Sequence, residues 1–346
     1  MVYVWGLGFF YKINEKKLNE FDIDGYIDNN IALEMSEYNG KPLIKSDEIK
    51  SDMTVIVMSK NFVGMVYELI EKGVQEIKIG TYIFPDSAQE LLLIDNGEYI
   101  IKNNKLIFKT RTNEININNQ EDVAKIYRKL HCDNGYLSAY MKLPMKPFCR
   151  EFGFTEGTPI DRYYIEYFLE KHKNDIFGDV VEIADNEYTM KYGNDKVDHS
   201  YVMHVNGWGE NVIKGNLESG EGIEENQYDC AIITQTLMFI YDFSAAIYNI
   251  YKMLKPGGVA LITVAGISQL AREDAGNWGS YWCFQPDALI KGFKEKFNGN
   301  IQIESYGNVK LAVAMLYGMC SEEIPQELYE YNDEQYPLII GVRVKR

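Results

Sequence analysis

The sequence is short of positive charge. Its 346 residues contain 35 Lys and Arg against 51 Asp and Glu, which gives a net charge of −16, and no segment gathers the cations into a basic patch. Such a chain repels phosphate backbones and anionic lipid headgroups. We therefore expect no nucleic acid and no membrane among its partners.

Long apolar runs are absent as well. None approaches the length of a membrane span, and the opening MVYVWGLGFF has no basic region before it of the kind found in signal peptides. We expect a cytoplasmic protein. With 46% hydrophobic residues the chain can bury a large core, its length favours two domains, and the composition leaves an oligomer open.

Cysteine is scarce and follows no pattern. The five cysteines contain no CxxC pair, so neither a zinc site nor a disulfide framework is indicated, and isolated reduced thiols are the simpler interpretation. His131 and His172 also have no partner at metal-ligand spacing. We expect no metal.

What the sequence does contain is a βαβ pattern between Tyr228 and Ala265. A short β-branched run, 231–234, is followed by apolar residues at helical spacing, by the turn Lys255-Pro256-Gly257-Gly258 and by a second strand at 259–264. Two strands joined in this way are parallel neighbours with a right-handed crossover. The pattern therefore predicts part of a parallel sheet.

Residues 1–85 alternate between strand and helix patterns, which predicts a small domain with a parallel, doubly wound sheet. Gly6 and Gly8 lie where the first strand turns into a helix, so backbone amides could approach a phosphate there. Asp28 and Asn29 end the second strand, where a carboxylate can accept from ribose hydroxyls. Tyr11 replaces the third glycine of the usual pattern, and a tight turn without a ligand remains an alternative.

Four segments of this domain, WGLG, GYIDNN, GKPLIKSDEI and TVIVMSK, resemble the small Rossmann-like domains at the N-terminus of sugar acetyltransferases and other polysaccharide-modifying enzymes. The resemblance implies a module that binds a nucleotide-sugar or a related nucleotide. Phe9, Phe10 and Tyr11 stand where that family has small residues and could block a pyrophosphate. A purely architectural domain is the alternative.

Residues 86–156 are expected to connect two domains. Three short strands separated by hairpin turn residues predict a small antiparallel meander, at 91–94, 99–102 and 106–109. Helical periodicity follows at 121–130, and the segment 144–159 is expected to be an extended link.

Residues 157–346 predict a second α/β domain. Thr158 is expected to cap a helix that has Pro159 in its first turn and runs to about His172. A strand at 178–183 follows. Two further strands, at 302–306 and 338–344, are expected to close the sheet as an antiparallel pair.

Six segments of this half resemble the class I S-adenosylmethionine-dependent methyltransferases, and more narrowly a branch associated with sugar and polysaccharide biosynthesis: GTPIDRYYIEYFL, VVEIADNEYT, GNL, YDCAIITQTLMFIYD, LKPGGVALITVAGISQ and YPLIIGVRVK. The resemblance implies a chain with two doubly wound Rossmann-like domains. It also implies that S-adenosylmethionine lies across the carboxyl ends of the parallel strands.

The resemblance assigns a set of cofactor-binding residues. Glu182 would point at the amino group of the cofactor, directly or through the loop that follows, and Asn216 would bond the adenine amine. Arg162 would pair with the cofactor carboxylate or, alternatively, only bridge to Glu166. The full set is Arg162, Tyr163, Glu182, Ala184, Asp185, Asn186, Tyr188, Asn216, Leu217, Thr234, Gln235 and Thr236.

This chain departs from the family pattern in the cofactor loop. Ala184, Asn186 and Tyr188 occupy the glycine positions of the usual E-x-G-x-G-x-G, and no acid occurs between His199 and Gly209 to bind the ribose hydroxyls. These departures indicate loose cofactor binding, a rearranged loop or a domain that has lost methyl transfer.

Two residues are candidate catalytic bases for methylation of a hydroxyl. His204 lies in YVMHV and could instead be a strand-end histidine, whereas Asp242 could instead be the N-cap of the next helix. Substrate contacts are expected from an aromatic loop, where Trp278, Tyr281 and Trp282 could stack on a sugar or only pack together. In the same loop, charged groups at 272–274 could bond hydroxyls.

Two functions follow from these observations. The first is an S-adenosylmethionine-dependent methyltransferase (class 2.1.1) that methylates a hydroxyl of a sugar or nucleotide-sugar, its small-molecule partner, in polysaccharide biosynthesis. The second is a non-catalytic nucleotide-sugar-binding or scaffold protein with a degenerate methyltransferase domain.

Overall fold

The chain divides into two units, Met1–Pro144 and Met145–Arg346. The computed structural model describes residues 1–59, 61–80, 98–110, 113–133, 136–207, 212–271 and 276–346. Within these ranges, every helix is too short or too polar to cross a bilayer. The expected mixed α/β class is confirmed, because both units combine helices with sheets that contain parallel strands.

The first unit contains a six-stranded sheet with the order β3-β4-β2-β1-β5-β6. All neighbours are parallel except β3 and β4. The strands are β1 Val2–Trp5, β2 Gly25–Ile27, β3 Glu37–Tyr38, β4 Lys41–Ile44, β5 Thr54–Val57 and β6 Glu76–Ile79, and the helices are α1 Phe9–Asn14 and α2 Val63–Glu71. That this arrangement is a Rossmann-like nucleotide module stays a prediction.

A three-stranded antiparallel sheet completes this unit. Its strands are β7 Glu98–Lys102, β8 Lys105–Lys109 and β9 Glu114–Ile117, followed by α3 Gln120–Asp133 and α4 Tyr136–Tyr140. The expected strand at 91–94 lies outside the described residues. β9 was not expected, because asparagines alternate with its apolar residues.

The meander belongs to the core of the first unit and is not a free connector. Leu106, Phe108 and Ile117 are buried in the same cluster as Val55 of β5, and the Tyr67 hydroxyl of α2 donates to the Ile117 carbonyl at 2.7 Å. A small sheet with one apolar face has to cover that face. Packing therefore divides the chain after residue 144, whereas the sequence predicted boundaries after residues 85 and 156.

The second unit contains a seven-stranded sheet with the order β12-β11-β10-β13-β14-β16-β15. Its strands are β10 Gly178–Ile183, β11 Val197–His204, β12 Val212–Lys214, β13 Tyr228–Thr234, β14 Leu254–Ala265, β15 Ile301–Tyr306 and β16 Ile339–Lys345. β13 and β14 are parallel neighbours, as the βαβ pattern predicted, and β16 runs antiparallel to both β14 and β15. The predicted closing pair is therefore confirmed.

Helices cover both faces of this sheet because its central strands are buried on both sides. Along β13, Ile232 packs into the cluster that holds α5, while Ile233 packs into the cluster that holds α6. The helices are α5 Ile160–Lys171, α6 Phe243–Met253, α7 Pro286–Lys296, α8 Val309–Leu316 and α9 Glu327–Glu330. The carboxyl ends of β10, β11 and β13 consequently share one edge.

The start of α5 differs from the expectation. Pro159 is the N-cap, and the Thr158 hydroxyl donates to Glu322 Oε1 at 2.7 Å instead of capping the helix. Glu322 also accepts from the Thr158 amide, and these hydrogen bonds lower the Glu322 pKa to about 2. The Thr158 hydroxyl thus bonds a carboxylate that is distant in sequence and does not cap the helix. Local sequence patterns do not reveal such a partner.

Candidate active site

Glu182 holds the loop that follows β10. Its side chain is 2% exposed, and its carboxylate accepts from the Thr189 amide and hydroxyl at 2.7 Å each and from the Tyr188 amide at 3.2 Å. Burial outweighs these bonds and raises the Glu182 pKa to about 7. Of the two roles expected for Glu182, these contacts match the indirect one, in which it acts through the loop.

The loop after β10 has other residues at the three usual glycine positions. Ala184, at the first glycine position, has φ +75°, a conformation that side chains rarely adopt. Asn186 Nδ2 donates to Ser200 Oγ at 3.1 Å, and the Tyr188 ring stacks on Tyr192 with centroids 6.3 Å apart. The neighbouring Asp185 accepts from a backbone amide of the loop at 3.0 Å. The larger side chains are thus held by protein partners, and only a methyl group stands at the strained position.

Arg162 lies beside this loop. Its guanidinium binds Glu187 at 2.9 Å and Glu166 at 3.5 Å, and it covers the Tyr188 ring at 5.7 Å. The bridge to Glu166, the alternative considered from sequence, is therefore present. Arg162 remains at the loop, but a cofactor carboxylate would have to share it with two acids.

Tyr163 lies elsewhere. Its ring packs on Tyr329 with centroids 4.1 Å apart, and its hydroxyl accepts from Gln326 Nε2 at 2.9 Å. Consecutive helical residues point in different directions, about 100° apart. The structure thus places Tyr163 against α9, whereas Arg162 faces the cofactor loop.

Asn216 uses its amide oxygen within its own turn. Asn216 Oδ1 accepts from the amides of Glu218 at 2.8 Å and Ser219 at 3.0 Å. An amide oxygen has two lone pairs, so the expected bond from this oxygen to an adenine amine would require the turn to open. The adjacent Leu217 is buried, and its carbonyl accepts from Asn249 Nδ2 at 2.8 Å.

The end of β13 is strained. Gln235 has φ +46°, and its amide donates to the Thr263 carbonyl of β14 at 2.8 Å. The Thr236 hydroxyl donates back to the Thr234 carbonyl at 2.9 Å. Non-glycine residues in this conformation cluster at functional sites, and these three lie at the sheet edge where the cofactor was expected.

His204 ends β11 and meets the aromatic loop. Its ring lies edge-on to Trp278, with centroids 5.8 Å apart, and its Nδ1 accepts from the Asn206 amide at 3.1 Å. That bond places the proton of the neutral ring on Nε2. Nε2 could act as a base only after the neutral ring changed tautomer and lost this proton from Nε2.

Asp242 is the N-cap of α6. Its Oδ1 accepts from the Ala245 amide at 2.9 Å, and its own amide donates to Glu218 at 2.9 Å. The structural alternative considered for this residue is therefore present. One carboxylate oxygen is committed to the cap, and the residue is exposed.

Three exposed aromatic residues form a surface beside these loops, the aromatic platform of Tyr241, Tyr281 and Trp282. The Tyr241 and Tyr281 rings are 5.4 Å apart, the Tyr241 and Trp282 rings 6.2 Å apart, and Tyr241 is 66% exposed. The Trp282 indole donates to the carbonyls of Ile240 at 3.0 Å and Tyr241 at 3.2 Å. Tyr241 was not predicted as a substrate contact, although the sequence has this aromatic residue directly before the N-cap candidate Asp242. The charged residues expected nearby, 272–274, lie outside the described residues.

Comparison with known proteins supports the expected domain. Residues 132–295 match the family model described as a methyltransferase domain. This segment is a methyltransferase domain. Its cofactor is S-adenosylmethionine, and the methyltransferase assignment from the sequence is confirmed at this level. No curated protein matches the chain.

Several solved structures resemble the methyltransferase domain weakly. A SAM-dependent methyltransferase from Archaeoglobus fulgidus shares 11% identity, covering 54% of this chain and 94% of that chain with a TM-score of 0.36. The N-methyltransferase NodS from Bradyrhizobium japonicum, in complex with S-adenosyl-L-homocysteine, shares 14% identity over 57% and 93%, also with a TM-score of 0.36. Similarities of this size carry no argument about substrate.

The described residues of the methyltransferase domain fit a cofactor with a positively charged sulfur. When bound, S-adenosylmethionine supplies an activated methyl group. The residues expected to hold it are those of the loop anchored by Glu182, Arg162 beside that loop, and the strained end of β13 at Gln235, and this placement stays a prediction. Among the described residues, no group of three or more His, Cys, Asp or Glu is arranged to hold a metal ion.

In the first unit, the polar side chains proposed as a nucleotide site are already bonded to neighbouring groups of the protein. Asp28 accepts from the amides of Leu7 at 3.2 Å, Asn30 at 3.0 Å and Ile31 at 3.1 Å, and Asn29 bonds Ser46. Gly6 has φ +99° and Gly8 is the N-cap of α1. These contacts favour the architectural alternative, and nucleotide binding stays a prediction.

Proposed function

We propose that the methyltransferase domain transfers a methyl group from S-adenosylmethionine to a hydroxyl of a sugar or nucleotide-sugar. The observation that carries the substrate class is the aromatic platform. Its rings are exposed, yet the Trp282 indole is fixed by two carbonyls, and the backbone of Tyr281 is held by a hydrogen bond from its amide to the Met238 carbonyl at 2.9 Å. Rigid exposed rings suit the apolar faces of sugars.

Positioning would supply most of the rate. Holding a hydroxyl in line with an activated methyl group replaces an encounter in solution, whereas a base adds roughly 10²- to 10⁴-fold. Asp242 keeps one carboxylate oxygen outside its cap bond, and His204 needs a change of tautomer. Of the two proposed bases, Asp242 needs the smaller change before it can accept a proton.

The test measures methyl transfer from radiolabelled S-adenosylmethionine to a panel of sugars and nucleotide-sugars. For the acceptor found, Tyr241→Ala should raise KM by roughly 3- to 10-fold, the size of one aromatic contact, and leave KM for the cofactor unchanged. Tyr248→Ala is the matched control, because Tyr248 is an exposed ring on α6 outside the platform. Equal effects of both variants, or no transfer to any sugar, would reject the sugar proposal.

A second candidate is a non-catalytic nucleotide-sugar-binding or scaffold protein with a degenerate domain. It is favoured by the internal bonds of Asn216 and His204, each of which satisfies a group that an active enzyme would offer to a ligand. Titration with S-adenosylhomocysteine in a calorimeter separates the candidates. Absence of heat and of thermal stabilisation at millimolar ligand favours the scaffold. Binding without transfer to any acceptor would also favour it.

A further inference from the structure

One peptide group joins Tyr241 of the aromatic platform to Asp242, a candidate base. Its carbonyl, that of Tyr241, accepts from the Trp282 indole at 3.2 Å, and its N–H, that of Asp242, donates to Glu218 Oε1 at 2.9 Å. A trans peptide group is planar, and its carbonyl and N–H point in opposite directions. Two bonds at opposite ends therefore fix its plane, and with it the directions in which both side chains leave the backbone.

The backbone of Glu218 is itself held in place. Its amide donates to Asn216 Oδ1 at 2.8 Å. The preceding Leu217 is 5% exposed, and its carbonyl accepts from Asn249 Nδ2 of α6 at 2.8 Å. Because Asp242 is the N-cap of the same helix, this turn contacts α6 at two points. The Glu218 carboxylate thus reaches the Asp242 amide from a fixed backbone.

The Asp242 amide depends on a partner from outside its helix. It lies at the start of α6, where backbone amides have no acceptor in a preceding helical turn. A carboxylate is a strong acceptor for such an amide and is favoured near a helix N-terminus. Since Asp242 is exposed, its amide would turn to water without Glu218, and the peptide group would be held at its carbonyl end alone.

We propose that Glu218 is a positioning residue for the acceptor. It holds the peptide group between Tyr241 and Asp242 so that Tyr241 presents its ring to the acceptor and Asp242 presents the carboxylate oxygen outside its cap bond. It acts by accepting one hydrogen bond and not by its charge. The inference rests on the proposed function, because it concerns the acceptor and not the cofactor.

The test compares the kinetics of three variants of the full chain, with radiolabelled S-adenosylmethionine and the sugar or nucleotide-sugar that accepts its methyl group. Glu218→Ala should lower kcat/KM for the acceptor roughly 3- to 30-fold, as expected for loss of one hydrogen bond, and leave KM for the cofactor within about twofold. Glu218→Gln keeps an oxygen that can accept from the Asp242 amide and should stay within about threefold of the wild type. Glu221→Ala is the matched control, because Glu221 lies in the same turn but binds Lys214 at 2.9 Å, and it should change neither constant.

Hydrogen exchange separates positioning from loss of structure. Peptides that contain the Asp242 amide should exchange faster in Glu218→Ala than in the wild type, whereas Glu218→Gln should restore the protection and exchange in β10 and β13 should stay the same. Faster exchange in β10 and β13 with equal losses for acceptor and cofactor would mean a purely structural role and would overturn the inference.

The remaining outcomes separate this inference from the proposed function. If the wild-type chain methylates no sugar, both are rejected. If it does, and Glu218→Ala leaves kcat/KM for the acceptor unchanged, the positioning role alone is rejected. Failure of Glu218→Gln to restore kcat/KM would also overturn it, since the charge and not the hydrogen bond would then matter.

Discussion

Glu182 offers the sharpest test of how the glycine-less loop is held. The carboxylate is buried and its pKa rises from an ordinary value of 4.5 to about 7. The folded chain therefore favours the protonated form, and the stability that this provides is present below pH 4.5 and is lost as the pH rises through 7. One unit of pKa corresponds to about 1.4 kcal/mol, so the loss amounts to about 3 kcal/mol.

Glu182→Gln removes this titration and nearly keeps the shape of the side chain. At pH 5 the variant should be less stable than the wild type, since an amide oxygen can take the two Thr189 donors but the amide nitrogen cannot accept from the Tyr188 amide. As the pH rises to 8, the wild type loses stability and the variant does not. The difference between them should therefore shift in favour of the variant by up to about 3 kcal/mol.

Hydrogen exchange of the β10 and β13 amides, followed by mass spectrometry, reports the opening of the second unit alone. Rates corrected for intrinsic exchange at each pH give the free energy of opening for both proteins. A difference between wild type and variant that stays constant from pH 5 to 8 would refute the reasoning. It would mean that Glu182 keeps an ordinary pKa and that its bonds, and not its burial, dominate.

Three further substitutions test the local structure of this unit by the same exchange measurement. Ala184→Gly should stabilise it by about 1 kcal/mol because φ +75° is unfavourable for alanine, and a loss of stability would contradict the backbone geometry. Asp242→Ala should lower the free energy of opening by about 1 kcal/mol through loss of the N-cap. An unchanged value would show that the cap bond adds no stability. Asn249→Ala should cost about 1 to 3 kcal/mol, because the Leu217 carbonyl loses its partner, and an unchanged value would show that water replaces it.

Features that depend on local periodicity were predictable from the sequence. The unit from β13 through α6 to β14 follows from a β-branched run and a helical spacing, each contained in a few residues. The turn predicted at Lys255–Gly258 was wrong, because these residues belong to β14, which begins at Leu254 directly after α6. By contrast, β9 was missed because Asn116 stands between Ile115 and Ile117 in an asparagine-rich stretch. This strand forms because its apolar side is buried, and that burial depends on other parts of the first unit.

The hydrogen-bond partners of the polar site residues were harder to predict from the sequence. The family resemblance predicted that Arg162 and Asn216 bind the cofactor, but whether each side chain stays available depends on groups that only the fold brings near. Glu187 reaches Arg162 across 25 residues, and Glu322 reaches Thr158 across 164.

The charge around the cofactor loop has a consequence for turnover. Four carboxyl groups lie near it against two cations: Glu166, Glu182, Asp185 and Glu187 against Arg162 and Lys191. Acid is in excess even though Glu182 is only partly ionised near pH 7. S-adenosylmethionine carries one positive charge more than S-adenosylhomocysteine, so this surplus of acid attracts the cofactor more than the product. Asp185 and Glu187 are exposed and screened by salt, whereas Glu166 is partly buried and screened less. We expect the ratio of the two affinities to fall only partly between 0.05 and about 0.5 M salt; a ratio independent of salt and near one would remove the electrostatic preference.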